Sequence, residues 1–170
     1  MTATAARLGA TYAALMAAHD LGDHIVQTDH QAAHKADSWA AMAGHVGGYT
    51  GLQVAALVGL RALAGVRPSW RRTAAAVAWS AATHAFLDRR WPVKRILELT
   101  GSPRFAQPRI PALTVLTRNE QVNVKISRIA MQTEEAPLPI HGPYLADQAL
   151  HHGALFVAAA ILAGGRKEAS

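Results

Sequence analysis

Apolar and small residues fill four long stretches of the chain. Inside three of them a His and an Asp stand one helical turn apart, and in the second a single His stands alone. The first stretch predicts a helix from Ala5 to Val26. A polar connection follows from Thr28, holding His30, His34, Lys35 and Asp37. Ser38 is placed to cap a second helix reaching Leu60, with Trp39 at its start. That segment has no charged side chain and one imidazole, His45, so it has the length and composition of a membrane span. Its glycines, Gly44, Gly47, Gly48 and Gly51, are expected to let a neighbouring backbone approach. Arg61, Gly65, Arg67, Pro68, Arg71 and Arg72 form a basic connection. A third helix is expected from Trp70 to Arg90, then a short amphipathic one from Val93 to Leu99 with Lys94, Arg95 and Glu98 outward. The fourth helix starts at Pro143, a favoured first-turn residue, and runs to Ala163 before Gly164-Gly165.

The segment from Gly101 to Gly142 reads differently. It holds five of the eight prolines, and Leu113, Val115, Val122, Val124 and Ile126 alternate with polar residues. This predicts a small hairpin within a long inserted connection. The expectation is thus an all-α, four-helix up-and-down bundle of transmembrane type. Residues 1–170 form one helical membrane domain, and 101–142 interrupt it between helices three and four.

Composition narrows the chemistry. Alanine is the commonest residue and aromatics are few, which favours helix over sheet. Mean hydropathy is only +0.08, which argues against a membrane reading as the hydrophobic second helix argues for it. With no cysteine, thiolate sites and disulfides are excluded, and a metal would rest on imidazole and carboxylate. Zinc suits that donor set, with iron, manganese or nickel as alternatives. The first stretch runs into His19, Asp20 and Asp23, so it is expected to be mature structure and not a cleaved leader. The net charge of +6 fits anionic lipid headgroups or an acidic partner. The basic residues are scattered through connections without a recognition pattern, so no specific nucleic acid is expected. Arginines and lysines crowd both sides of the expected bundle, and the charge rule for orientation gives no answer.

The candidate site follows from register. His19 and Asp23 share one helix face at turn spacing, as do His84 and Asp88, and Asp147 and His151. In an up-and-down bundle, His19 with Asp23 and His84 with Asp88 lie near the C-terminal ends of the parallel first and third helices. His45, Asp147 and His151 lie near N-terminal ends of the opposed helices, so all seven fall at one level. Buried imidazole and carboxylate are costly unless paired or ligated. The expected metal ligands are His19, Asp23, His45, His84, Asp88, Asp147 and His151, with Asp23, Asp88 and Asp147 also as candidate general bases. Asp20, His24 and His152 lie beside them as outer partners or rim residues. His30, His34 and His141 fall in connections and are expected to be solvated. The competing reading is a set of buried Asp–His pairs that neutralise one another.

These stretches resemble a known family. His19-Asp-Leu-Gly-Asp23-His-Ile-Val-Gln27, His45, Thr83-His84-Ala-Phe-Leu-Asp88 and Asp147-Gln148-Ala-Leu-His151-His152 are similar to the bacterial integral-membrane family catalogued as domain of unknown function 3307. The shared signatures are His-x-x-x-Asp and Asp-Gln-x-x-His. The resemblance implies a short multi-helix protein of the cell membrane. It covers the four helices and leaves out Gly101 to Gly142. His24 departs from it, since the family carries an aromatic residue there, often Phe. No reaction comes with the family, although small membrane families of comparable pattern are spoken of as metal-dependent hydrolases.

Three functions are carried forward. The first is a multi-pass membrane metalloprotein, a hydrolase acting on a lipid or small-molecule substrate at one membrane face. The second is a soluble helical bundle binding an acidic partner. The third is a non-enzymatic membrane protein moving metal ions or protons along the His/Asp chain.

Overall fold

The computed structural model describes residues 2–103, 105, 110–112, 134–136 and 142–164. Six helices carry the architecture among these: α1 (Ala3–Leu21), α2 (Asp29–His34), α3 (Trp39–Ala64), α4 (Trp70–Leu87), α5 (Trp91–Leu99) and α6 (Gly142–Ala163). Two three-residue strands, β1 (Ile110–Ala112) and β2 (Glu134–Ala136), pair antiparallel with Ile110 opposite Ala136. The alternating positions from Leu113 to Ile126 lie outside the described residues.

The helix starts follow local capping chemistry. Thr2, Ser38 and Ser69 each accept a hydrogen bond from the backbone N–H three residues on, opening α1, α3 and α4. Gly65 closes α3 in the left-handed conformation, with φ of 64°, four residues beyond the expected end. The connection expected after Thr28 contains α2. Thr28 and Gln31 form a reciprocal capping box, which satisfies the first amides of a helix too short to persist unaided.

Two boundaries differ from expectation for identifiable reasons. The first α-helix does not continue to Val26. It ends at Leu21 and widens into a π-helical turn, Gly22–Val26, closed by Gln27 N–H donating to the Gly22 carbonyl at 3.1 Å. Gly22 lies against α3 there: an added Cβ would stand 3.3 Å from the Tyr49 ring and 3.5 Å from its Cα. It is this glycine that permits a close approach. Of the four expected glycines, Gly44 and Gly48 meet only the side chains of Gln31 and Val26, and Gly47 and Gly51 meet nothing within 4 Å among the described residues. The third helix stops at Leu87, not Arg90. Arg90 adopts φ of 63°, the only positive φ among the described non-glycine residues, and turns the chain into α5. Pro92 sits in the first turn of α5, so that helix begins two residues before Val93.

The four long helices pack in a ring, α1 on α3 and α6, and α4 on α3 and α6, forming a helical bundle. The half of the bundle away from the His/Asp residues is apolar. Leu15, Leu57, Ala76, Leu155, Ala158, Ala159 and Leu162 are buried together, and the alanines let the helices approach. The small α5 buries Val93 and Leu97 on Leu87, Ala146 and Leu150, leaving Lys94, Arg95 and Glu98 exposed as expected. Many large apolar side chains face outward, among them Trp39, Val58, Leu63, Trp70 and Phe156. Two helices, α3 and α6, are long and apolar enough to cross a membrane.

Candidate metal centre

Four elements bring the cluster together. His19 ends α1 and Asp23 stands in the π-helical turn. His45 lies in the second turn of α3. His84 and Asp88 come from the last turn of α4 and its cap, and Asp147 and His151 from the first half of α6. His19, Asp23, His45, His84, Asp88 and His151 are all buried, while the Asp147 side chain is 25 % exposed at the edge.

At the centre are four donor atoms. His45 Nε2 and His84 Nε2 are 2.8 Å apart. Asp23 Oδ1 lies 3.2 Å from each of them, and Asp88 Oδ2 lies 3.1 Å from His45 and 3.3 Å from His84. Ligands at about 2.0–2.1 Å from a tetrahedral zinc are separated by about 3.3 Å, so these spacings are close to those of side chains that could share one ion. By length alone they also fit hydrogen bonds, but the two facing Nε2 atoms constrain where the protons can lie. A neutral imidazole has one N–H, and two Nε2 atoms at this separation cannot both donate to carboxylates without opposing their protons. Asp23 Oδ1 and Asp88 Oδ2 are buried without a hydrogen bond of good geometry, as are His19 Nδ1, His84 Nδ1 and His151 Nε2. Such groups are few in folded proteins, and this concentration in one place marks residues that could hold a metal ion.

The outer members hold or extend the centre. His19 Nδ1 is 3.7 Å from the second Asp23 oxygen, and its Nε2 is 3.2 Å from Gln148 Oε1. His151 stacks on His19 with ring centroids 5.2 Å apart, and its Nε2 is 3.9 Å from Asp88 Oδ1. Its Nδ1 donates to the Asp147 carbonyl at 2.9 Å and lies 3.6 Å from the Asp147 carboxylate. Three buried or half-buried sets therefore have the spacing to hold a metal ion: His45, His84 and Asp88; His19, Asp23 and His84; and Asp88, Asp147 and His151. They share His84 and Asp88. A fourth set, His19, Asp20 and His152, is partly exposed. His24 is exposed and within 3.4 Å of the Tyr144 hydroxyl, and His30 and His34 are exposed on α2. His141 lies outside the described residues.

Several functional neighbours carry no signal of their own in the sequence. Lys35, from the connection after α2, puts Nζ 3.0 Å from Asp88 Oδ1 and 3.3 Å from His45 Nε2. Arg89 and Arg90 hold that connection, donating to the Ala36 carbonyl at 2.7 Å and the Ala32 carbonyl at 3.3 Å. Tyr49 stacks flat on the His84 ring, with centroids 3.8 Å apart and planes 7° apart, and its hydroxyl is 2.7 Å from Ser80 Oγ. Tyr49 and Ser80 lie one turn from His45 and His84, a spacing that becomes informative only once those histidines are singled out. Burial alone would raise the Asp88 carboxyl. The His45 imidazole against it, with His84, Lys35 and His151 nearby, instead holds it down at about 2.

No family model, curated protein or solved structure matches this chain.

Proposed function

We propose that the chain is a multi-pass membrane metalloprotein, a four-helix up-and-down bundle whose His/Asp centre is hydrolytic. The observation that carries this is the set of four donor atoms at 2.8–3.3 Å, contributed by helices far apart in sequence. In this reading His45, His84, Asp23 and Asp88 hold one divalent cation, with zinc the best match to imidazole and carboxylate. Gln148 orients the His19 ring beside Asp23, and Tyr49 fixes the plane of His84. Asp147, at the open edge, is placed to take a proton from water. A bound divalent ion supplies Lewis acidity and lowers the pKa of a bound water.

The membrane assignment is supported by the distribution of polarity. Only 17 % of the apolar window of α3 and 28 % of that of α6 is buried, whereas the core helix of a water-soluble protein would be mostly covered. The buried imidazoles and carboxylates of the cluster face inward and the tryptophans outward, as hydrocarbon solvent requires. α1 and α4, with 19 and 18 residues, are about 27–29 Å long, close to the thickness of a bilayer core. The resemblance to the domain of unknown function 3307 family agrees with this placement.

A second reading has one observation behind it. The Lys35–Asp88 pair at 3.0 Å is what a neutralised network without an ion would contain. Calorimetric titration of detergent-solubilised, chelator-treated protein with zinc separates the two. Saturable uptake near one ion per chain, together with retention of the chain in carbonate-washed membranes, is expected. Release by carbonate, or the absence of saturable uptake, would overturn the proposal.

A further inference from the structure

We propose, building on the metal-centre reading, that the site's substrate carries a phosphoryl dianion, as in a phosphate monoester, and that the cleft over the cluster is its binding site. The cleft has a volume of about 490 Å³ and opens onto Asp23 and Asp88. Its walls gather Lys35, Arg90 and Lys94, with Tyr144 and Gln148 as further polar groups. Three cations line the cleft, and of these Lys35 alone is paired with a carboxylate of the centre. With a divalent cation bound, the positive charges facing the cleft exceed the three carboxylates, Asp23, Asp88 and Asp147, by two. A phosphate monoester dianion balances that excess. A peptide or an acyl ester does not.

The cations arise from separate elements, and their placement is maintained at some cost. Arg90 reaches the cleft from a left-handed backbone, φ of 63°, a conformation that side chains other than glycine rarely adopt and that persists where surrounding structure imposes it. Its guanidinium also donates to the Ala32 carbonyl, which ties the wall to the Lys35 connection. Lys94 is exposed, and its ammonium is uncommitted among the described residues. Guanidinium and ammonium groups facing a metal centre form the usual clamp for phosphoryl oxygens. Hydrolysis there joins a water oxygen to phosphorus and breaks the ester P–O bond. The water's proton passes by way of Asp147 to the departing alkoxide, giving an alcohol and inorganic phosphate.

The test uses full-length protein in nanodiscs, loaded with zinc, and titrated with inorganic phosphate. Saturable phosphate binding is expected, weakened at least about fivefold in Lys94→Gln and further in Arg90→Gln/Lys94→Gln, with zinc content and melting temperature of Lys94→Gln unchanged. Phosphatidic acid in the nanodisc separates the sources. Competition with phosphate identifies a lipid headgroup, and undiminished phosphate binding identifies a soluble ester; both support the proposal. Zinc-loaded protein that binds no phosphate, or binds it equally well in both variants, overturns the phosphoryl assignment and leaves the metal centre standing. Protein that takes up no zinc overturns both, because the charge balance depends on the ion.

Discussion

Replacing Asp88 by Asn separates an ion-binding centre from a self-neutralised network. The Asp88 side chain is 3 % exposed and touches Lys35 at 3.0 Å, His45 at 3.1 Å and His84 at 3.3 Å. Asn is nearly isosteric, so the change removes charge and leaves shape. Breaking one side of a buried charge pair costs about 3–5 kcal/mol. For a chain of 170 residues, each kcal/mol moves the melting temperature by about 2–4 °C, so Asp88→Asn should melt about 6–20 °C lower. An ion present at about a thousand times its dissociation constant adds about 4 kcal/mol to the folded state. Chelation should therefore lower the wild-type melting temperature by about 8–16 °C. In Asp88→Asn, which lacks one of the four central donors, chelation should change it little. The assay is thermal melting in detergent, with and without a chelator, followed by circular dichroism at helical wavelengths. Equal chelator shifts in both proteins, or none in either, would refute the argument while still allowing Asp88 a structural role.

Other outcomes follow from the same geometry. Tyr49→Phe removes only the hydroxyl contact with Ser80 and should cost about 1 kcal/mol without changing metal content, whereas Tyr49→Ala removes the ring under His84 and should weaken zinc binding; equal zinc affinity in the two variants would contradict this. Lys35→Met takes an ammonium away from His45 Nε2 and Asp88 Oδ1 and should tighten zinc binding at least about fivefold in calorimetry; unchanged or weaker binding would show that the ammonium does not compete with the ion. The Asp88 carboxyl is held at about 2 in the folded chain, below its ordinary value, so the stability it contributes is complete above the unfolded pKa and is lost as pH falls through about 2. Chelator-treated wild-type protein should therefore lose melting temperature more steeply than Asp88→Asn between pH of about 4 and about 2; parallel slopes would contradict the assignment.

Much of this arrangement is legible in the residues themselves. The one-turn spacing of His19 with Asp23, His84 with Asp88 and Asp147 with His151 placed each pair on one helix face. An expected alternation of helix direction then put them at one level, and most of them do cluster. Capping residues gave the helix starts, as with Ser38. Other features depend on tertiary contact and leave no local trace. The π-helical turn begins at Gly22, which lies against Tyr49 of another helix, a contact that no local pattern announces. Lys35 belongs to a polar connection in sequence, and only the grip of Arg89 and Arg90 on Ala36 and Ala32 carries it to Asp88. Asp147 satisfies the spacing rule but stands at the rim, because its helix begins there and its carboxylate faces the cleft. His45 shows the limit of scoring residues singly. Alone on its apolar helix it carries no pair signal, yet its Nε2 lies within 3.3 Å of His84, Asp23, Asp88 and Lys35.

The account rests on four donor atoms sharing one cation. Elemental analysis of detergent-purified protein tests this most directly, comparing wild type with His45→Ala and His84→Ala. Close to one equivalent of a single divalent metal in the wild type, falling to background in both variants, is the predicted result. Metal at background in the wild type, or at the same level in all three proteins, would contradict it.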